Sequence, residues 1–140
     1  MQDEARHVTF GRMALREYYP HLSDAERAER EEFVVEALYF MRDRFNQSEV
    51  WERLGLPAKT LDDIHYNSKQ MQSFRGRLFS RVVPTVKDIG LWGPRVQKAF
   101  AEMGVMEYAK IDVVEQLAND GRVAEEFDKK MFVEKAIAAE

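Results

Sequence analysis

The stretch Gly90-Leu91-Trp92-Gly93-Pro94 is the clearest loop in the chain, because two glycines and a proline interrupt a helical pattern there. Pro94 suits the first position of a helix, and the helix that it begins is predicted to end at Gly104. Before the loop, a helical pattern covers residues 58–83, and Pro84 is expected to end or kink that helix. The loop is therefore predicted to separate two helices.

After Gly104 the pattern predicts two further helices, over residues 106–118 and 122–138, separated by a turn at Asn119-Asp120-Gly121. No segment alternates apolar and polar residues as a half-buried strand does, and no repeat or long linker divides the chain. The fold class is therefore predicted to be all-α, with residues 1–140 forming a single α-helical domain.

The first 46 residues predict a helix hairpin, and residues 47–140 a helical extension. A first helix over residues 2–19 ends at Pro20, and Ser23 and Glu26 form a capping box that begins the second. The predicted inner face of the first helix comprises Glu4, His7, Val8, Gly11, Ala14, Leu15 and Tyr18. The predicted apolar side of the second comprises Phe33, Val34, Ala37, Leu38, Met41 and Phe45.

The composition restricts the classes of function. The chain has no cysteine, which excludes disulfides, thiolate metal sites and cysteine nucleophiles. Its net charge of −4 argues against a nucleic-acid partner. No apolar run reaches the roughly 18–20 residues of a membrane span, and no secretion signal is recognisable, so a cytoplasmic protein without a membrane partner is expected. The basic stretch 69–81 is either a solvated helix face or an anion site.

Glu4 and His7 form the pair of residues that most resembles a metal site. They lie three residues apart, so a helix places them on one face about a turn apart. A carboxylate and an imidazole in this arrangement can bind one metal ion while the carboxylate bridges to a second. Asp3 can accept the other imidazole N–H, and Gly11 leaves room one turn further on.

The stretch Asp3-Glu4-Ala5-Arg6-His7-Val8-Thr9-Phe10-Gly11 resembles the second Glu-x-x-His helix of ferritin-like di-iron carboxylate proteins. The most similar groups are the ribonucleotide-reductase-small-subunit-like oxidases and the p-aminobenzoate N-oxygenase-like enzymes. The resemblance implies that Glu4 and His7 are metal ligands and that Asp3 supports the imidazole. It also implies a cofactor of two iron ions, or a manganese–iron pair, that activates O₂ to oxidise a small organic substrate.

The ligand set that the resemblance implies is incomplete. Such a site takes a Glu from each of two helices and a Glu-x-x-His from each of two others, but no second aligned motif follows. The chain is therefore expected to be the C-terminal part of a longer di-iron oxidoreductase, an incomplete four-helix bundle that is inactive alone. Whether it is an enzyme depends on ligands from missing sequence or from a second chain.

Two other places could supply ligands. Glu36 would lie level with His7 in an antiparallel hairpin, so a two-fold dimer could complete the set. However, Glu36 also belongs to a stripe of acidic residues that is typical of a solvated face. Asp62 and His65 repeat the spacing of three, although an Asp at that position is also typical of a helix cap.

An alternative function belongs to a different class. The chain could be a non-catalytic helical interaction module that dimerises through the exposed apolar face of its first helix. A homodimer is expected under both hypotheses.

Overall fold

A computed structural model describes the backbone of residues 2–44 and 46–137 and the side chains of residues 7–44, 46–123, 125, 126 and 129. Within these ranges the chain forms seven α-helices and no strand, which confirms the all-α prediction. The helices are α1 Gln2–Tyr18, α2 Asp24–Asp43, α3 Ser48–Arg53, α4 Ala58–Asn67, α5 Lys69–Asp88, α6 Pro94–Glu102 and α7 Val113–Ile137. Two 3₁₀ turns, Tyr19–His21 and Met106–Lys110, lie before α2 and after α6.

The hydrophobic core forms where α5, the loop that follows it and α6 meet. The most deeply buried side chains of this cluster are Phe79, Val83, Leu91, Val96 and Phe100. Tyr19 and Leu38 reach the same cluster from the amino-terminal part of the chain. Leu91 belongs to the predicted loop, so this loop is part of the core rather than a solvent-exposed connection.

Charged side chains of α2 bind the loop between α5 and α6. The carboxylate of Glu31 is buried, and its Oε1 accepts a hydrogen bond of 2.7 Å from the backbone N–H of Gly93. Gly93 precedes α6, where unpaired N–H groups and the helix dipole favour a negative charge. Arg27 donates to the carbonyl oxygens of Gly90 at 3.2 Å and Tyr19 at 2.8 Å. These bonds attach α2 to the start of α6.

Helix α1 is attached to the rest of the molecule by arginines. The buried side chain of Arg12 donates to Asp88 at the end of α5, and Arg16 Nη1 lies 3.7 Å from the other Asp88 oxygen. The main backbone packing of α1 is against the 3₁₀ turn that follows it, whereas α2 packs chiefly against α6. This arrangement does not confirm a ferritin-like hairpin over residues 1–46.

Local capping signals predicted several helix boundaries correctly. The capping box is present, because Ser23 N–H donates to Glu26 Oε2 at 2.9 Å while Glu26 N–H donates to Ser23 Oγ at 3.4 Å. Pro94 is the first residue of α6, as predicted. Gly104 follows the end of α6 with φ of 70°, a backbone conformation that favours glycine.

Of the two alternatives predicted for Pro84, an end or a kink of the helix, the end is wrong, because α5 continues to Asp88 with Pro84 buried inside it. A proline lacks the N–H that would bond to the carbonyl four residues earlier, which is that of Ser80. The side-chain amide of Gln116, in α7, donates to this oxygen at 3.1 Å instead. The predicted helix over residues 58–83 divides at Ser68, whose Oγ accepts from Met71 N–H at 3.2 Å and caps α5.

The predicted turn at residues 119–121 is also wrong, because α7 passes through it without a break. Asp112 Oδ1 caps the start of this helix, because it accepts hydrogen bonds from the N–H groups of Val114 at 2.8 Å and Glu115 at 3.0 Å. Asp120 then forms two hydrogen bonds with the Arg81 guanidinium of α5, one of them at 2.8 Å. A glycine within a helix costs only about 1 kcal/mol relative to alanine, so Gly121 alone does not end α7.

Asp62 joins α4 to α3. Its carboxylate accepts hydrogen bonds from the Ser48 hydroxyl, from Gln47 N–H at 3.0 Å and from Trp51 Nε1 at 3.2 Å. The bond from Ser48 is the largest cause of a lowered Asp62 pKa, and the other two bonds act in the same direction. Asp62 is therefore a structural residue that orients the short helix α3.

We predict that Gly93→Ala destabilises the fold by about 1–3 kcal/mol, because an added methyl group would overlap the Glu31 carboxylate. A Cβ at this position would lie 2.6 Å from Glu31 Cδ and closer still to both oxygens. Gly121→Ala is the matched control, since nothing lies within 4 Å of the added methyl in α7, and this variant should gain up to about 1 kcal/mol. Urea unfolding measures both effects, and equal stability of the two variants would contradict the proposed role of Glu31.

We predict that Asp62→Asn lowers the urea midpoint at about pH 7 and that the difference from wild type decreases as the pH falls below about 4. The folded-state pKa is lowered below the ordinary value, so the carboxylate stabilises the fold above about pH 4. This contribution is lost as the pH falls through the lowered folded-state value. Asp63→Asn, at the exposed neighbouring position, is the control and should leave the midpoint unchanged. A difference that persists at the acidic end would refute this linkage.

Candidate functional site

The predicted metal ligands lie in α1. This helix begins at Gln2, so its register places Glu4 and His7 one turn apart, as expected. The His7 side chain is exposed, whereas the side chains of Asp3 and Glu4 lie outside the described residues. Among the side chains that the structure describes, no group of three or more His, Asp or Glu could hold a metal ion. The di-metal site therefore stays a prediction.

The apolar face of α1 consists of Val8, Gly11, Leu15 and Tyr18, spaced by three, four and three residues. This spacing places all four on one side of the helix. Val8 is 63% exposed, and Leu15 and Tyr18 are exposed as well. Nothing lies within 4 Å of a Cβ built on Gly11, so a neighbouring backbone could approach closely there.

The prediction that this face points inward is wrong for the residues whose side chains are described. His7, Val8, Ala14, Leu15 and Tyr18 are all exposed. The physical reason is that α1 approaches the rest of the chain with Arg12 and Arg16, which bind Asp88 from another side of the helix. Once these ion pairs fix the rotation of α1, its apolar face is left at the surface.

Helix α2 also exposes large apolar side chains. Val34 and Leu38 face the core as predicted, but Phe33 is 68% exposed and Phe40 is 70% exposed. Phe45 lies outside the described residues. Sequence reasoning missed this surface because it assigned Phe33 to the core side, although its spacing of seven from Phe40 already placed both on one side of the helix.

The other candidate metal ligands lie in α2 and α4, in surroundings that differ from one another. Glu36 is exposed on α2, in agreement with a solvated face. The Asp62 carboxylate is occupied by the three donors from the α3 region, which accounts for an Asp at that position without a metal. His65, one turn further along α4, is half-buried in the groove beside Met71 and Arg77.

The basic stretch 69–81 is mostly a solvated helix face. The Arg75 guanidinium lies 3.7 Å from the centroid of the Tyr66 ring and donates to Tyr66 O at 2.8 Å. Arg81 is paired with Asp120 of α7. Two of its arginines are therefore engaged within the chain, which favours the interpretation as a helix face over an anion site.

None of the described helices is long and apolar enough to cross a lipid bilayer. Comparison with known proteins gives no family model, no curated protein and no solved structure that matches this chain. The resemblance of the first residues to di-iron proteins thus has no independent support. A function must be argued from the surfaces described above.

Proposed function

We propose that this protein is a non-catalytic helical interaction module that forms a homodimer through the apolar face of α1. The observation that carries the proposal is the orientation of α1, which turns Arg12 toward Asp88 and Val8, Leu15 and Tyr18 toward solvent. A contiguous apolar stripe on an exposed helix is typical of a surface that binds another protein. The ion pairs with Asp88 hold this stripe in place before any partner arrives.

The chemistry of the face favours a second copy as the partner. Val8, Gly11, Leu15 and Tyr18 carry no charge, so two copies of the face can meet over these four positions without like-charge repulsion, while Glu4 lies on the same stripe beyond them, toward the amino end of α1. Burial of the six large side chains of two copies would contribute on the order of 10 kcal/mol. Association itself costs about 4–15 kcal/mol, so we expect a weak dimer, with a dissociation constant of tens of micromolar at the lower end of that cost.

The second candidate function is the C-terminal part of a di-iron oxidoreductase. The helical register of α1 favours it, because Glu4 falls on the same stripe as the apolar face and His7 at its edge. Among the described side chains no ligand set for iron assembles, so this function takes its further ligands from the rest of a longer protein or from a second chain. A dimer through α1 would bring two Glu-x-x-His pairs to one interface.

We predict that the purified protein is a homodimer and that Val8→Asp shifts it to monomer. Burial of a carboxylate in an apolar interface is strongly unfavourable, so the dimer dissociation constant should rise by at least about tenfold. Val114→Asp is the matched control, since Val114 is 61% exposed on α7, and this variant should stay dimeric. Light scattering after size exclusion measures both. A wild-type chain that is monomeric at about 100 μM would refute the proposal.

The two candidate functions differ in the response to iron. As an interaction module, the protein should remain dimeric in the double variant Glu4→Ala/His7→Ala and should bind no stoichiometric iron. If the oxidase candidate is correct, elemental analysis of protein purified from iron-replete cells should find about two iron ions per site, lost in the double variant. Glu17→Ala is the control for the loss of surface charge, because Glu17 is exposed and lies near the end of α1.

A further inference from the structure

A second exposed stripe runs along α2 and differs in chemistry from the apolar face of α1. It consists of Glu29, Phe33, Glu36 and Phe40, and we call it the α2 stripe. The spacing of four, three and four residues places all four on one side of the helix, as in the contact positions of a coiled coil. All four side chains are exposed, while the opposite side of α2 packs against α6.

The alternation of carboxylates and phenyl rings is not required by the fold. Leu38 and Val34, on the other side of α2, supply its apolar contact with the core. Phe33 and Phe40 expose about two-thirds of their surface without contributing to that contact, and large exposed aromatic side chains are favoured at binding surfaces. The nearest cation to Glu29 is Arg30, at 3.7 Å and in solvent, where an ion pair contributes little.

A second copy of the stripe is a poor partner for it. In an antiparallel pair of α2 helices that aligns the two stripes end to end, Glu29 would face Phe40 and Phe33 would face Glu36, which buries four carboxylates without cations. In a parallel pair, carboxylates would face carboxylates across the contact. Both arrangements carry a penalty that the apolar positions of α1 from Val8 to Tyr18 do not. Self-association and the α2 stripe are therefore separate properties.

We propose that the α2 stripe binds a basic amphipathic helix of a partner protein. Such a helix would place apolar side chains against Phe33 and Phe40, and Lys or Arg side chains beside Glu29 and Glu36. Desolvated aromatic anchors next to complementary charges are the combination that gives helix-in-groove complexes affinity and specificity. The proposal does not rest on dimerisation through α1, since it uses a different helix and a different kind of partner.

A designed peptide tests this inference directly. The probe is a fluorescein-labelled helical peptide of about 20 residues that alternates Lys and Leu on one face at the spacing of the stripe. Fluorescence anisotropy should show binding to the wild-type protein that weakens as the salt rises from about 0.05 M to about 0.5 M. A matched peptide with Glu in place of Lys should bind at least about tenfold more weakly.

Variants of the protein test whether the peptide binds at the α2 stripe. The double variant Phe33→Ala/Phe40→Ala should weaken binding of the Lys–Leu peptide by about tenfold or more. The double variant Glu29→Gln/Glu36→Gln should also weaken this binding and should make it less dependent on salt. Phe10→Ala, at a position 75% exposed on α1, is the matched control and should change binding by less than about twofold. Circular dichroism of each surface variant is the control that it remains folded.

Three outcomes would overturn the inference. They are no binding of the Lys–Leu peptide at about 100 μM, equal binding of the acidic peptide, and unchanged binding to both double variants. The stripe variants should also remain dimeric, because α1 is intact in them. A negative result for peptide binding at the α2 stripe can therefore be distinguished from the absence of a homodimer, which the Val8→Asp variant tests.

Discussion

The attachment of charged side chains to the end of α5 and to the loop of residues 89–93 is the constraint on which the rest of the structure depends. The Glu31 carboxylate binds the N–H of Gly93, Arg27 binds the carbonyl of Gly90, and Arg12 binds the carboxylate of Asp88. Hydrogen bonds that involve a charged group contribute about 1.5–3 kcal/mol each, more than an exposed ion pair does. The loop thus joins α1 and α2 to the core that α5 and α6 form.

This constraint explains why the molecule has exposed apolar surfaces. A helix attached by apolar contacts buries its apolar stripe, but α1 is attached by arginines, so its stripe remains outside. Helix α2 uses one side for α6 and the loop and leaves Phe33 and Phe40 on the other. The same anchoring therefore gives the chain an uncharged surface suited to a second copy and a charged aromatic one suited to a basic helix.

The sequence predicted the elements whose signals are local. The Ser23–Glu26 capping box, Pro94 at the start of α6 and Gly104 after its end lie where short-range rules place them. The same rules failed at Pro84 and at residues 119–121, because a side chain distant in sequence compensates each local defect. Gln116 satisfies the carbonyl that Pro84 leaves free, and Arg81 holds Asp120 within a continuous helix. No pattern confined to a few neighbouring residues contains that information.

At the candidate site, too, some features follow from the sequence and others depend on the tertiary structure. The sequence by itself determined an all-α chain and the register of α1, which places Glu4 and His7 on one side of a helix. Only the tertiary structure decided that the apolar face of α1 points to solvent. Helical periodicity defines which residues share a face, but the direction of that face depends on the partner to which the helix is bound. Here that partner is a carboxylate far along the chain, Asp88, and a long-range ion pair leaves no periodic signal in the sequence.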